Sequence, residues 1–187
     1  MGRLKNWILR TFYRNDLIAM QKEYDRKVRE ISYNAQKQTK LIDAVHRVFK
    51  ESNHVIVGVE TNKNGEEVLV VQRIYNRDIW IMLYSDNNNH PRIMATYEKP
   101  YEGAEYIHID DVMVEDNDIG NGSILMKYFI EYCKTTKAEY ISGSLSPVDA
   151  DHFDRSEHYY KKHGFTVVFS EGRKSGSIRY ELQENKK

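Results

Sequence analysis

Tyr106-Ile107-His108-Ile109-Asp110-Asp111-Val112-Met113-Val114 leads through Glu115 and Asp116 into Asn117-Asp118-Ile119-Gly120-Asn121-Gly122-Ser123, and Ile124-Leu125-Met126-Lys127-Tyr128-Phe129-Ile130-Glu131-Tyr132-Cys133 follows. The first stretch has the composition of a strand, and the last has the length and apolar spacing of a helix. Two glycines at a helix start let backbone N–H groups converge without side-chain obstruction. Together with the positive end of the helix dipole, those donors form an anion site suited to a phosphate or pyrophosphate. A Gly-x-Gly turn on its own also describes an ordinary loop-to-helix junction.

Further along, Asp149-Ala150-Asp151-His152-Phe153-Asp154-Arg155-Ser156-Glu157-His158-Tyr159-Tyr160-Lys161-Lys162-His163-Gly164-Phe165 reads as a short helix closed by a glycine, then the strand 165–169. Gly164 suits the left-handed position after a helix, where a side chain is costly. Asn117-x-x-Gly120-x-Gly122 and Tyr160-Lys161-Lys162-His163-Gly164-Phe165 occur in this order and each in its expected local structure. Together they resemble the GCN5-related N-acetyltransferase (GNAT) superfamily over roughly residues 53–183. The first motif position in that family is usually Arg or Gln; this chain has Asn117.

The resemblance implies an α/β fold, a mixed sheet of the acyl-CoA N-acyltransferase type, here with a long N-terminal helical extension. It implies acetyl-CoA as co-substrate and direct transfer of the acetyl group to an amine in a ternary complex. Val112, Met113 and Val114 would align the pantetheine and acetyl group, and Asn117, Asp118, Ile119, Gly120, Asn121, Gly122 and Ser123 would hold the pyrophosphate. Tyr160 would protonate the departing thiolate; a tyrosine at that place also reads as a core or helix-face residue. An ammonium of pKa about 10.4 must lose a proton, so a base or proton wire is needed. Asp110 and Asp111 are the first candidates, because one of two successive strand residues must face the cleft. Glu98 and Glu105 are others, and all four acids also read as solvated or substrate-orienting groups.

The chain has 187 residues, 28 Lys plus Arg and 28 Asp plus Glu. The balance conceals a division: residues 1–50 carry 12 basic and 5 acidic side chains, a surplus of +7, and the remainder carries −7. Two regions of opposite field suggest two jobs, and the acidic one suits a cationic acceptor. A single cysteine, Cys133, excludes an intrachain disulfide and fits a reducing cytosol, so a cytoplasmic protein is expected. Its apolar surroundings read as those of a buried thiol rather than a nucleophile. No apolar run spans a bilayer, and no secretory signal is recognisable. Asp149, Asp151, His152 and Asp154 match no metal-ligand spacing, so no metal is expected.

Residues 1–50 read as a basic amphipathic helical arm and 51–187 as the acetyltransferase domain. Residues 16–50 contain no Pro or Gly, and Leu17, Tyr24, Ile31, Gln38 and Val45 alternate with Gln21, Val28, Ala35, Ile42 and Phe49 in a heptad-like seam. The seam could pack on the domain, fold back as a hairpin or join two copies as a coiled coil. In residues 3–14, Leu4, Trp7, Ile8 and Phe12 share a face among Arg3, Lys5, Arg10 and Arg14. That face favours docking on an acidic protein surface over an anionic membrane surface, and no nucleic-acid-binding motif accompanies it. The alternative to an active enzyme is a catalytically degenerate fold that acts as an interaction protein through this arm.

The domain begins with a strand at 55–59, the turn Asn62-Lys63-Asn64-Gly65 and a strand at 68–75. Strands follow at 79–84 and 92–97 around the loop 85–90. Beyond the glycine turn come strands at 140–145, 165–169 and 178–182. The loops 85–91 and 99–103 are the places where acceptor specificity would lie.

Overall fold

A computed structural model describes residues 2–85, 90–114 and 119–182, with the side chains of 3–6, 8–12 and 15 outside the description. Asn117 and Asp118 therefore lie outside the described residues, as do 86–89 of the first specificity loop and the side chains of Leu4, Ile8 and Phe12 on the basic face.

The chain divides into two compact units, Met1–Ile42 and Asp43–Lys187. The first belongs to a single helix, α1 (Gly2–Lys50), which takes in both the basic segment and the seam without a break. No Pro or Gly interrupts it after Gly2, and turn-spaced pairs such as Glu23–Lys27 at 3.2 Å and Gln21–Asp25 at 3.0 Å line its surface. Leu17, Tyr24 and Ile31 are 64, 64 and 68% exposed. The helix ends at Lys50, whereas the units divide eight residues earlier, because Ala44 and Val48 are buried in the second unit.

The second unit is built on one eight-stranded sheet in the order β1-β2-β3-β4-β5-β6-β8-β7. Its strands are β1 (His54–Thr61), β2 (Glu67–Tyr75), β3 (Asp78–Tyr84), β4 (Arg92–Glu98), β5 (Tyr106–Met113), β6 (Tyr140–Leu145), β7 (Thr166–Phe169) and β8 (Gly176–Glu181). Neighbours are antiparallel except β5 and β6, and a parallel pair needs a crossover. The crossover contains α2 (Asn121–Cys133); a 3-10 turn (Pro147–His152) and α3 (Phe153–Lys162) lie between β6 and β7. This is the element order expected from sequence, with a 3-10 turn in place of the first part of the expected helix at 149–163.

One main core lies on one face of the sheet. Ile79, Ile81, Leu83, Ile93, Ile107, Ile109 and Ile141 meet Leu125, Met126 and Phe129 of α2 and Phe153 and Tyr160 of α3 there. The strand period of two sends the alternate residues Met94, Thr96, His108 and Ser142 to the other face, where they are half-buried. Leu69, Val71, Met82 and Tyr84 are also buried on this second face, outside the main core, and Ala44 and Val48 of α1 are buried outside that core too. Arg47, between those two helix residues, donates to the Ser85 carbonyl at the end of β3.

Candidate functional site

The parallel ladder between β5 and β6 runs from Tyr106↔Tyr140 to Ile109↔Gly143 and stops, while β5 continues to Met113. Beyond Ile109 the β6-facing edge of β5 is thus free of ladder hydrogen bonds, and a notch opens between the strands. On its other side β5 stays paired with β4 through Met94↔Asp111, Ile93↔Val112 and Arg92↔Met113. Val112 and Val114 are half-buried against the core, and Met113 is exposed.

A bulge marks the mouth of the notch. The β4–β5 register jumps from Ala95↔Ile109 to Met94↔Asp111, which leaves Asp110 as the extra residue. Strand alternation would send one aspartate to each face; the bulge instead leaves both Asp110 and Asp111 exposed. Asp110 accepts a hydrogen bond from the Thr96 hydroxyl at 2.8 Å, and Asp111 shares its face with Met94, its cross-strand partner. The other acids sit at the far end of this strand pair, where Glu98 pairs with Tyr106. Glu98 bonds Arg77 at 3.5 Å, and Glu105 accepts from the Tyr97 hydroxyl and pairs with Lys99 at 3.0 Å. The Tyr97 bond, and then Lys99, hold the Glu105 carboxyl below its usual range. Burial and Glu105 push Tyr97 up to about 12.

The glycine turn follows β5. Gly120 caps α2 in the left-handed conformation at φ 93°, which its missing side chain permits. Its carbonyl accepts from Ser123 and Ile124, so the helix opens at Asn121, whose N–H, like that of Gly122, has no acceptor within the helix. Two other segments brace this turn. From the β1–β2 connection, the Lys63 N–H donates to the Ile119 carbonyl at 2.8 Å, and the Lys63 alkyl chain lies 3.3 Å from where a Gly120 Cβ would be. Asn62 is 5% exposed: its side-chain oxygen accepts from the N–H groups of Asn64 and Glu66, and its amide reaches Asn121 Oδ1 at 3.4 Å. The buried Asn121 side chain is thus turned toward the hairpin.

From α3, the Tyr159 hydroxyl donates to the Gly122 carbonyl at 2.8 Å and Lys162 Nζ donates to Ser123 Oγ at 3.0 Å. A Cβ on Gly122 would stand 3.1 Å from the Tyr159 ring. Gly122 therefore admits the half-buried Tyr159 of α3 as well as leaving its own N–H uncovered.

Adjacent tyrosines thus take different roles. Tyr159 is tied to the first turn of α2. Tyr160 is 8% exposed, and its hydroxyl has no hydrogen-bond partner among the described residues. Burial, and then the negative charge of Asp111, raise the Tyr160 phenol above its ordinary value and keep it protonated at neutral pH. Tyr160 lies with the helices on the core side of the sheet and the aspartates lie on the other, so the notch separates them. Asp111 acts on Tyr160 across it.

The structure thus brings together Tyr160, Asp110, Asp111, the 112–114 edge and the described part of the turn, Ile119–Ser123. Sequence reasoning missed Asn62 and Lys63 as neighbours of the turn, Tyr159 and Lys162 as its braces, and the His108–Ser142 contact described below. Among the described residues no group of three or more His, Cys, Asp or Glu is placed to hold a metal, and no helix is long and apolar enough to cross a membrane. The Cys133 thiol is buried, which pushes its pKa up.

No protein-family profile matches the chain. It is 28% identical to the uncharacterized protein YocC of Bacillus subtilis (strain 168) over 131 residues, 67% of this chain and 75% of that protein. In structure it is similar to a protein of Desulfovibrio desulfuricans assigned to the GNAT acetyltransferases. Their identity is 13% and the TM-score 0.47, over 57% of this chain and 70% of the other. It is also similar to a Bacillus subtilis acetyltransferase in complex with CoA, at 16% identity and a TM-score of 0.43, over 57% of this chain and 78% of the other.

Proposed function

We propose that this protein is an acetyl-CoA-dependent N-acetyltransferase of the GNAT type that acts on an amine. The observation that carries this reading is the notch. A parallel strand pair parts after Ile109 and Gly143, a bared β5 edge runs toward a glycine-opened helix, and a buried, protonated tyrosine stands opposite an aspartate across the gap.

The residues present fit the co-substrate. The open edge of β5 at Val112, Met113 and Val114 offers backbone groups to an extended amide-bearing arm, as an added strand would use them. The N–H groups of Asn121 and Gly122, with the dipole of a 13-residue helix behind them, suit the pyrophosphate. Ile119, Gly120 and Ser123 complete that cradle, and Asn117 and Asp118 are proposed to extend it. Lys63 and Lys162 add positive charge at its rim. Acetyl-CoA supplies a thioester whose acyl carbon takes the amine. Asp110 and Asp111, exposed together by the bulge, attract the cationic acceptor to the open face of the sheet. Tyr160, on the helical face, gives its proton to the departing sulfur.

The exposed seam of α1 is proposed to pair two copies of the chain. The first unit is a single helix with Leu17, Tyr24, Val28 and Ile31 exposed along the heptad-like seam. A lone helix recovers that apolar area on association.

An amine panel, peptides and small amines included, incubated with acetyl-CoA and read by thiol release tests the enzymatic reading. Turnover that Tyr160→Phe lowers much more than it lowers acetyl-CoA affinity is the expected result. Full turnover in Tyr160→Phe would remove the acid assignment.

A further inference from the structure

We infer that His108, steadied by Ser142, is the group that takes the proton from the acceptor amine; this rests on the acetyl-transfer reading above. His108 lies in a lateral row fixed by two ladders, opposite Thr96 of β4 on one side and Ser142 of β6 on the other. It is one residue short of the last pair, Ile109↔Gly143, and so stands at the closed end of the notch. Ile107 and Ile109 point into the core, which turns His108 to the face that also carries Asp110 and Asp111. Two residues along a strand are about 6.6 Å, within reach of an imidazole for a group held at the bulge.

His108 Nδ1 lies 3.1 Å from Ser142 Oγ. With the Nδ1 proton donated to that oxygen, Nε2 carries the lone pair. No partner for Nε2 is found among the described residues. The two aspartates are less suited to the task. A carboxylate has an ordinary pKa of about 3.9, far from that of an amine, whereas an imidazole's lies near neutrality. Asp110 is moreover engaged by Thr96. The aspartates hold the cation and His108 receives its proton.

The chemistry balances. The ammonium first gives one N–H proton to His108 Nε2, which frees the nitrogen lone pair to bond to the acyl carbon. The C–S bond breaks and the sulfur takes the Tyr160 proton. The second N–H proton leaves the nitrogen as the amide forms and passes through water to the Tyr160 phenolate, and the imidazolium gives its proton to water. Donor and acceptor of protons thus stand on opposite faces of the sheet, with the notch between them.

Bromoacetyl-CoA tests this without knowledge of the acceptor. Its electrophilic carbon would occupy the acetyl position, and Nε2 would displace bromide to leave the ring bonded to the CH2C(O)S–CoA group, an adduct that mass spectrometry maps, as carboxymethyl once the thioester is hydrolysed. The expected result is modification of His108, prevented by excess acetyl-CoA. His108→Gln should abolish labelling at that position while calorimetric affinity for acetyl-CoA is kept. Ser142→Ala should slow labelling severalfold with the same affinity, because the ring loses its anchor. Tight, acetyl-CoA-protected binding of the probe with His108 unmodified would overturn the assignment. A chain that binds neither compound would overturn the acetyl-transfer reading, and this inference with it.

Discussion

Replacing Gly122 with alanine separates two reasons for a glycine at that place. The new Cβ would sit 3.1 Å from Tyr159 Cε2 and 3.6 Å from its hydroxyl oxygen, so the ring must yield by a few tenths of an ångström. Tyr159 is half-buried against the neighbouring Tyr160 and His163 rings and pinned by its bond to the Gly122 carbonyl. Overpacking of this kind costs about 1–3 kcal/mol. Gly122 is helical and has no positive φ, so alanine also gains up to about 1 kcal/mol of helix propensity. The net expectation is a loss of about 1 kcal/mol. In a Tyr159→Leu background the ring is gone and the same substitution should become stabilising. Urea unfolding followed by circular dichroism, with unchanged slopes, measures both arms. An alanine that stabilises the protein while Tyr159 is present would refute the packing argument and leave ligand access as the reason for the glycine.

Other outcomes follow from the same geometry. Tyr160→Phe should reduce turnover by about a hundredfold or more, the scale of a lost general acid, with acetyl-CoA affinity nearly kept; equal losses in both would point to a packing role. Asn62→Ala removes a buried acceptor shared by two backbone N–H groups and should cost about 1–3 kcal/mol in thermal or urea unfolding. Tyr97, pushed up to about 12, and the more strongly raised Tyr159 and Tyr160 stabilise the fold fully below the ordinary phenol range. That contribution is lost as pH climbs from about 10 through the folded values, so alkaline unfolding should accompany phenolate absorbance; an intact fold with every phenol titrated near 10 would contradict it. Deleting residues 1–42, which spares the buried Ala44 and Val48, should convert a dimer to a monomer by sedimentation, and unchanged mass would remove the role given to the seam.

The strands and both domain helices could be located from alternation, glycine turns and helix caps, because those signals are local. The turn Asn62-Lys63-Asn64-Gly65 was legible as a hairpin, but nothing in it told that Lys63 would bond Ile119 far along the chain. Tyr159 and Tyr160 were indistinguishable as letters; only the helix rotation assigns one to Gly122 and leaves the other's hydroxyl without a partner among the described residues. The bulge at Asp110 was likewise hidden, since strict alternation gives opposite faces to neighbouring residues and a register shift belongs to the strand pair. Cross-strand contacts such as His108–Ser142 follow from parallel register, which hydrophobic pattern alone does not fix.

Calorimetric titration of acetyl-CoA into the full chain, with desulfo-CoA and ADP as partial ligands, tests acetyl transfer most directly. Saturable binding on the order of micromolar, with measurable affinity for the pyrophosphate-bearing fragment, is the expected result. No heat up to millimolar acetyl-CoA would contradict it and leave the turn at 119–123 an ordinary loop-to-helix junction.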